Sequence, residues 1–187
     1  MKIGLVGEAP HDTNCISVLL NQIYNDVLFF PLINHIRGSQ LDQVQPTKRL
    51  LRLEYQYEKP DLVIFIRDLD GLINEQDKIR LRKEYFAEYR RVVDGKAIFL
   101  LNIYELEALI FSDIDKFNHL YKCNIPQHHD PSSIPDPKGE LKLKSKGRYS
   151  ETHNLRIFET LDIQTVAANC SYFSQFLNNL QNHLDIN

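Results

Sequence analysis

Hydrophobic positions along this chain fall into short unbroken runs, separated by longer segments in which apolar residues recur every three or four positions. Ile3-Gly4-Leu5-Val6, Leu62-Val63-Ile64-Phe65-Ile66 and Ala97-Ile98-Phe99-Leu100-Leu101 have no polar alternate face, the pattern of strands buried on both sides in a parallel sheet. Val27 to Ile36 is a further strand candidate, which Pro31 places at an edge or in an irregular segment. Between the runs, Ile16, Leu19, Leu20, Ile23 and Val27 predict a helix over about residues 13 to 26, with Asp12 or Thr13 as its N-cap. A polar loop holding Gly38, Ser39 and Pro46 leads to a helix from about Thr47, in which Leu50, Leu53 and Tyr57 share a face. Glu75 to Val93 predicts a highly charged helix with Ile79, Phe86, Tyr89 and Val93 as its apolar side, and Tyr104 to Phe111 reads as a helix start.

This alternation predicts one α/β domain over residues 1–187, a mainly parallel central sheet flanked by helices, with its core over about 1–117. After Phe117 the pattern loosens. Residues 124 to 150 hold four of the eight prolines and read as a long loop. Asn154 to about Leu184 reads as a helical part that packs back through Leu155, Phe158, Leu161, Phe173, Phe176, Leu177 and Leu180.

Composition narrows the function classes. With 187 residues the chain is long enough for a sizeable core, and a formal charge of −3 gives it no global attraction for polyanions. Binding to nucleic acid would need a local basic patch or a metal. Cys15, Cys123 and Cys170 lie far apart, which argues against zinc and a disulfide framework and suits a reducing compartment. The first apolar run stops at Glu8, too short for a signal peptide, and no segment is long enough to cross a membrane, so a cytoplasmic location is expected.

The candidate chemistry lies where the strands end. Asp68 and Asp70 follow the third run and would leave it on the same side, because alternate residues of an extended chain point the same way; Glu8 follows the first run, and Glu105 and Glu107 follow the fourth. A parallel sheet brings all these ends to one edge. Carboxylates gathered there repel one another unless a cation neutralises them, and Mg²⁺ or Mn²⁺ suits an all-oxygen site. A basic cluster, Lys138, Lys142, Lys144, Lys146 and Arg148, could face a phosphate backbone. Arg67, as the strand neighbour of Asp68, is expected to point away from it, and the charged helix Lys78 to Arg91 reads as a solvated face. His128-His129 read as surface residues, and His11 and His153 as structural ones.

A Glu after the first strand followed by Asp-x-Asp after the third resembles the TOPRIM fold of topoisomerases, bacterial primases and the overcoming-lysogenization-defect type nucleases. The chain more closely resembles domain-of-unknown-function family 4276, small TOPRIM-like proteins often linked to prokaryotic defence. Four segments carry the likeness: Val6-Gly7-Glu8 with Asp12; Arg67-Asp68-Leu69-Asp70; Glu105 to Asp113; and Asp136-Pro137-Lys138 with Tyr149 and Thr152. The turn Ala9-Pro10-His11-Asp12 and Leu109 differ from the family pattern. The resemblance implies a Mg²⁺-dependent nuclease in which Glu8, Asp68 and Asp70 are catalytic. Glu8, Asp68, Asp70, Glu105 and Glu107 would hold metal, while Asp12, Lys138, Lys144, Lys146 and Arg148 would contact a DNA or RNA substrate. An alternative keeps the fold without the chemistry: a regulatory or nucleotide-binding subunit acting with an ATPase partner. A phospho-acceptor receiver domain fits poorly, because its acidic pair would follow the first strand.

Overall fold

The unbroken apolar runs lie side by side in the computed structural model, which describes residues 1–36, 38–41, 44–128 and 130–185. Strands β1 (Lys2–Val6), β2 (Leu28–Pro31), β3 (Leu62–Asp68) and β4 (Ala97–Asn102) form an all-parallel sheet in the order β2-β1-β3-β4. The chain moves outward from β1 to β2, then crosses back and continues through β3 to β4. The topological switch point, where open α/β sheets open a crevice at the carboxyl ends of their strands, therefore lies between β1 and β3.

Strand parity divides the core. Ile3, Leu5, Leu62, Ile64, Ile66, Ile98 and Leu100 pack with helix α1 (Pro10–Leu20) and with the C-terminal helices α5 (Ala108–Ser112), α6 (Ile114–Tyr121), α8 (Asn154–Phe158), α9 (Ile163–Asn169) and α10 (Ser171–Asp185). Val6, Val63, Phe65 and Ala97 face the opposite layer, built on helices α3 (Val44–Glu58) and α4 (Gln76–Val92) with the short α2 (Gly38–Leu41). Both faces are covered, so the strands carry no polar alternation. At Gly4 a side chain would collide with Leu32, since an added Cβ would stand 2.4 Å from its Cδ1.

Several boundaries differ from the sequence reading. The first helix opens at Pro10, whose fixed φ suits a first helical position, and closes by Leu20; its N-cap is Ala9, not Asp12 or Thr13. β2 stops at Pro31 rather than reaching Ile36, because Ile33 takes a left-handed backbone (φ 48°) and donates its N–H to Glu54 Oε2 at 2.6 Å. The Gly38-to-Pro46 loop holds α2 and the start of α3, where Pro46 sits in a first turn that needs no N–H from it. Residues 124 to 150 are no plain loop: they hold a 3₁₀ turn (Pro131–Ser133) and helix α7 (Pro137–Lys144), whose Leu141 is fully buried. The C-terminal part is broken into three helices. Asp162 caps α9 through Gln164 and Thr165, and Cys170 separates α9 from α10. His128 lies edge-on to Phe111, and His129 falls outside the described residues. Among the described residues no helix is long and apolar enough to cross a membrane.

Phe65 is fully buried, with the rings of Tyr85, Phe86 and Tyr89 at 6.5, 6.2 and 5.8 Å. Phe65→Ala should lower stability by about 3–5 kcal/mol in urea denaturation; a loss below about 1 kcal/mol would contradict this packing.

Candidate active site

Register explains the first contact at the switch point. Val6 pairs with Phe65, so the next same-face positions along the two strands are Glu8 and Arg67. Arg67 does point away from Asp68, into the α3–α4 layer. From there its guanidinium lies over the Tyr85 ring at 4.5 Å and its Nε meets Glu8 Oε1 at 2.7 Å. Only 1% of Arg67 is exposed, so the pair is desolvated on its cationic side. Glu8 Oε1 also accepts from the Asp68 backbone N–H at 3.2 Å. The turn that carries Glu8 is tight: a Cβ at Gly7 would stand 3.0 Å from Thr13 Cγ2.

Asp68 approaches from the other face. It pairs with Asn102 across β3 and β4, and the Asn102 amide donates to Asp68 Oδ1 at 2.9 Å. Burial holds the Asp68 carboxyl well above the usual carboxylate range; Asn102 pulls it down, while Glu8, Asp12 and Glu107 push it up. Asp12, in the first turn of α1, accepts from the Ala9 N–H at 2.9 Å and lies 3.3 Å from His11 Nε2. Its carboxyl is pushed up to about 6, chiefly by burial, with His11 opposing and Glu8 and Glu107 adding to the rise. Glu8, Asp12, Asp68 and Glu107 thus act on one another.

Asp70 stands apart. The chain leaves β3 at Asp68 and turns left-handed at Asp70 (φ 56°), which breaks the alternation that would have kept the two carboxylates on one side. Asp70 is 62% exposed at its side chain and binds Arg82 Nη2 at 2.8 Å, while Lys78 holds its carbonyl. Arg82 Nε donates to the Asp68 carbonyl at 2.8 Å. This corrects the reading of the charged helix as a solvated face: α4 clamps the end of β3.

A second tier comes from the C-terminal half. Glu107 is 3% exposed, and its Oε1 accepts from Tyr149 Oη and Asn154 Nδ2, both at 3.0 Å. Burial and the Glu107 charge push the Tyr149 phenol far above its ordinary value. Lys138 Nζ lies 3.4 Å from Glu105 Oε1 and 3.3 Å from Glu151 Oε1. Burial alone would lower the lysine; Glu107, Glu105 and Glu151 outweigh it and hold the ammonium charged. Glu105 is raised mainly by burial, with Lys138 opposing. Of the other basic residues, Lys144 and Lys146 are exposed. Arg148 is bound to the Ser145 and Tyr121 carbonyls. His153 Nδ1 meets Tyr121 Oη at 2.8 Å, outside the carboxylate group.

Arg67, Arg82, Asn102 and Asn154 were missed as site residues by sequence reasoning. Register parity would have paired Arg67 with Glu8 once β1 and β3 were known to be neighbours; for Asn154 no local signal exists. Among the described residues no three His, Cys, Asp or Glu side chains are grouped as a ready cage for an ion. The donor set nevertheless suits Mg²⁺ or Mn²⁺ held by few protein ligands and completed by water or substrate oxygens. The described bonds use Oε1 of Glu8 and Oδ1 of Asp68, and the second oxygen of each has no protein partner among the described residues.

Residues 12–181 match the model of the family described as Domain of unknown function (DUF4276), and the chain belongs to that family. No curated protein and no solved structure matches it.

A carboxyl whose folded pKa lies above its unfolded value favours the fold when protonated. That contribution is complete below about pH 4 and is lost as pH rises through about 6 for Asp12, and through the raised value of Asp68. In EDTA the protein should therefore be more stable at pH 5 than at pH 8. Asp12→Asn should recover on the order of 2 kcal/mol at pH 8 and flatten the profile. Identical profiles for Asp12→Asn, Asp68→Asn and wild type in thermal melts would contradict the shared burial of these groups.

Proposed function

We propose that this DUF4276 protein is a TOPRIM-type, Mg²⁺- or Mn²⁺-dependent nuclease that hydrolyses phosphodiester bonds of DNA or RNA, with a role in prokaryotic defence. One observation carries the reading. Glu8 and Asp68 reach the β1–β3 switch point from opposite faces of the sheet, each with one carboxylate oxygen that no described residue partners, and Asp12 and Glu107 lie close enough to repel them. Acids arranged so favour a cation at the site most often used for ligands in such sheets.

In this reading Asp68 and Glu8 would hold the ion, which when bound would supply a Lewis acid for a phosphate oxygen and a more acidic water. Arg67 pins Glu8 Oε1 and so fixes which oxygen faces the site, where Glu8 would either hold the ion or take and return a proton. Glu107 is a supporting carboxylate whose direction Tyr149 and Asn154 set. Lys138 supplies positive charge beside it, and exposed Lys144 and Lys146 give the substrate backbone a basic approach. Asp70 is paired with Arg82 and would be a further ligand only if that pair opened.

One feature favours the second reading, a catalytically silent subunit that acts with an ATPase partner. Three of the acids already have a cation of the chain: Arg67 on Glu8, Arg82 on Asp70 and Lys138 on Glu105. Incubating labelled single- and double-stranded DNA and RNA with Mg²⁺, Mn²⁺ or EDTA separates the two. The nuclease reading expects metal-dependent cutting that falls about 10²–10³-fold or more in folded Asp68→Ala, as for loss of a group that stabilises the transition state. Cutting retained by Asp68→Ala would remove Asp68 from the chemistry, and no cutting by folded wild type would favour the silent subunit.

A further inference from the structure

The carboxylates at the sheet edge fall into two groups that are neutralised differently. Among the described residues Asp68 meets the Asn102 amide and no cation, and Glu8 beside it meets Arg67 through Oε1 alone. Glu105, by contrast, faces Lys138 Nζ at 3.4 Å, and the same ammonium reaches Glu151 at 3.3 Å with Glu107 adding its field. The other Glu105 oxygen, Oε2, is buried without a hydrogen-bond partner, so Lys138 is what answers that carboxylate.

Lys138 is placed by a stiff local device. Asp136 adopts a left-handed backbone (φ 51°) and caps α7 through its own carboxylate, which accepts from the Gly139 N–H at 2.9 Å. Pro137 occupies the first helical position, and Lys138 follows it in the first turn. Gly139 makes the cap possible, because a Cβ there would stand 2.1 Å from Asp136 Oδ2. The side chain is 34% exposed, while Lys142, Lys144 and Lys146 of the same basic cluster are exposed.

We propose that Lys138 is the built-in second cation of this site: the rim takes one divalent ion, at Glu8 and Asp68, and the ammonium holds the place at Glu105 and Glu151 where a second ion would otherwise bind. This rests on the metal-dependent reading above. An ammonium fixed by a capped helix gives one positive charge where a divalent ion would give two, and none of that ion's open coordination positions, so it can stabilise charge on a bound phosphate but cannot generate a second activated water.

The test is the number of Mn²⁺ ions bound per folded chain, by calorimetry and by electron paramagnetic resonance, in wild type, Lys138→Met and Lys138→Arg, with thermal melts as the folding control. The expected result is one ion for wild type, two for Lys138→Met, and one for Lys138→Arg, which restores the cation. Two ions on wild type, or one ion on wild type and one on Lys138→Met alike, would overturn the role of Lys138 while leaving the Glu8–Asp68 site intact. No ion on wild type and one on Lys138→Met would support Lys138 as a resident cation and sink the first site instead. No ion on either protein overturns both.

Discussion

Carboxylates drawn out of water at the rim of a parallel sheet must each find a positive charge, a hydrogen-bond donor or a proton, and much of this molecule is arranged around that requirement. Arg67 meets Glu8, Asn102 meets Asp68, Lys138 meets Glu105, and Tyr149 with Asn154 meets Glu107. These partners come from both layers of the fold and from its C-terminal half. Removing one partner of a buried pair leaves the other uncompensated, at about 3–5 kcal/mol. The same repulsion that strains the rim is what would reward a bound cation.

The C-terminal half is therefore part of the site. Its helices α8, α9 and α10 close one face of the sheet; the segment before them delivers Lys138 and Tyr149, and the first residue of α8 delivers Asn154, to the acids that follow β4. Tyr149 is held in turn by Ser145, whose hydroxyl accepts its N–H at 3.0 Å. Packing and chemistry share these residues: Tyr149 lies edge-on to Phe117 at 5.8 Å while its hydroxyl reaches Glu107.

The strands and their acidic ends were legible in the sequence because burial on both faces leaves an uninterrupted apolar run, and Asp68 stops β3 where that burial ends. Asp70 was not, since alternation holds only for an extended chain and the left-handed turn lies beyond the strand. Arg67 was read correctly as pointing away from Asp68. That it meets Glu8 depends on β1 and β3 being neighbours in register, which no local pattern fixes. The region 124 to 150 read as loop because its prolines obscured α7, although Asp136-Pro137 is itself a signature of a capped helix start. Lys138 stood out as basic, while its contact with Glu105 is a matter of tertiary packing alone.

The claim on which the account turns is that the β1–β3 switch point receives a divalent ion. Titrating isotope-labelled protein with Mn²⁺ and following the loss of backbone amide NMR signals locates that ion directly. The account predicts that Gly7, Glu8, Asp68 and Leu69 broaden first, while Leu62 and Lys96, at the opposite edge of the sheet, persist. Broadening centred on that opposite edge, or spread evenly over the exposed acids, would contradict it.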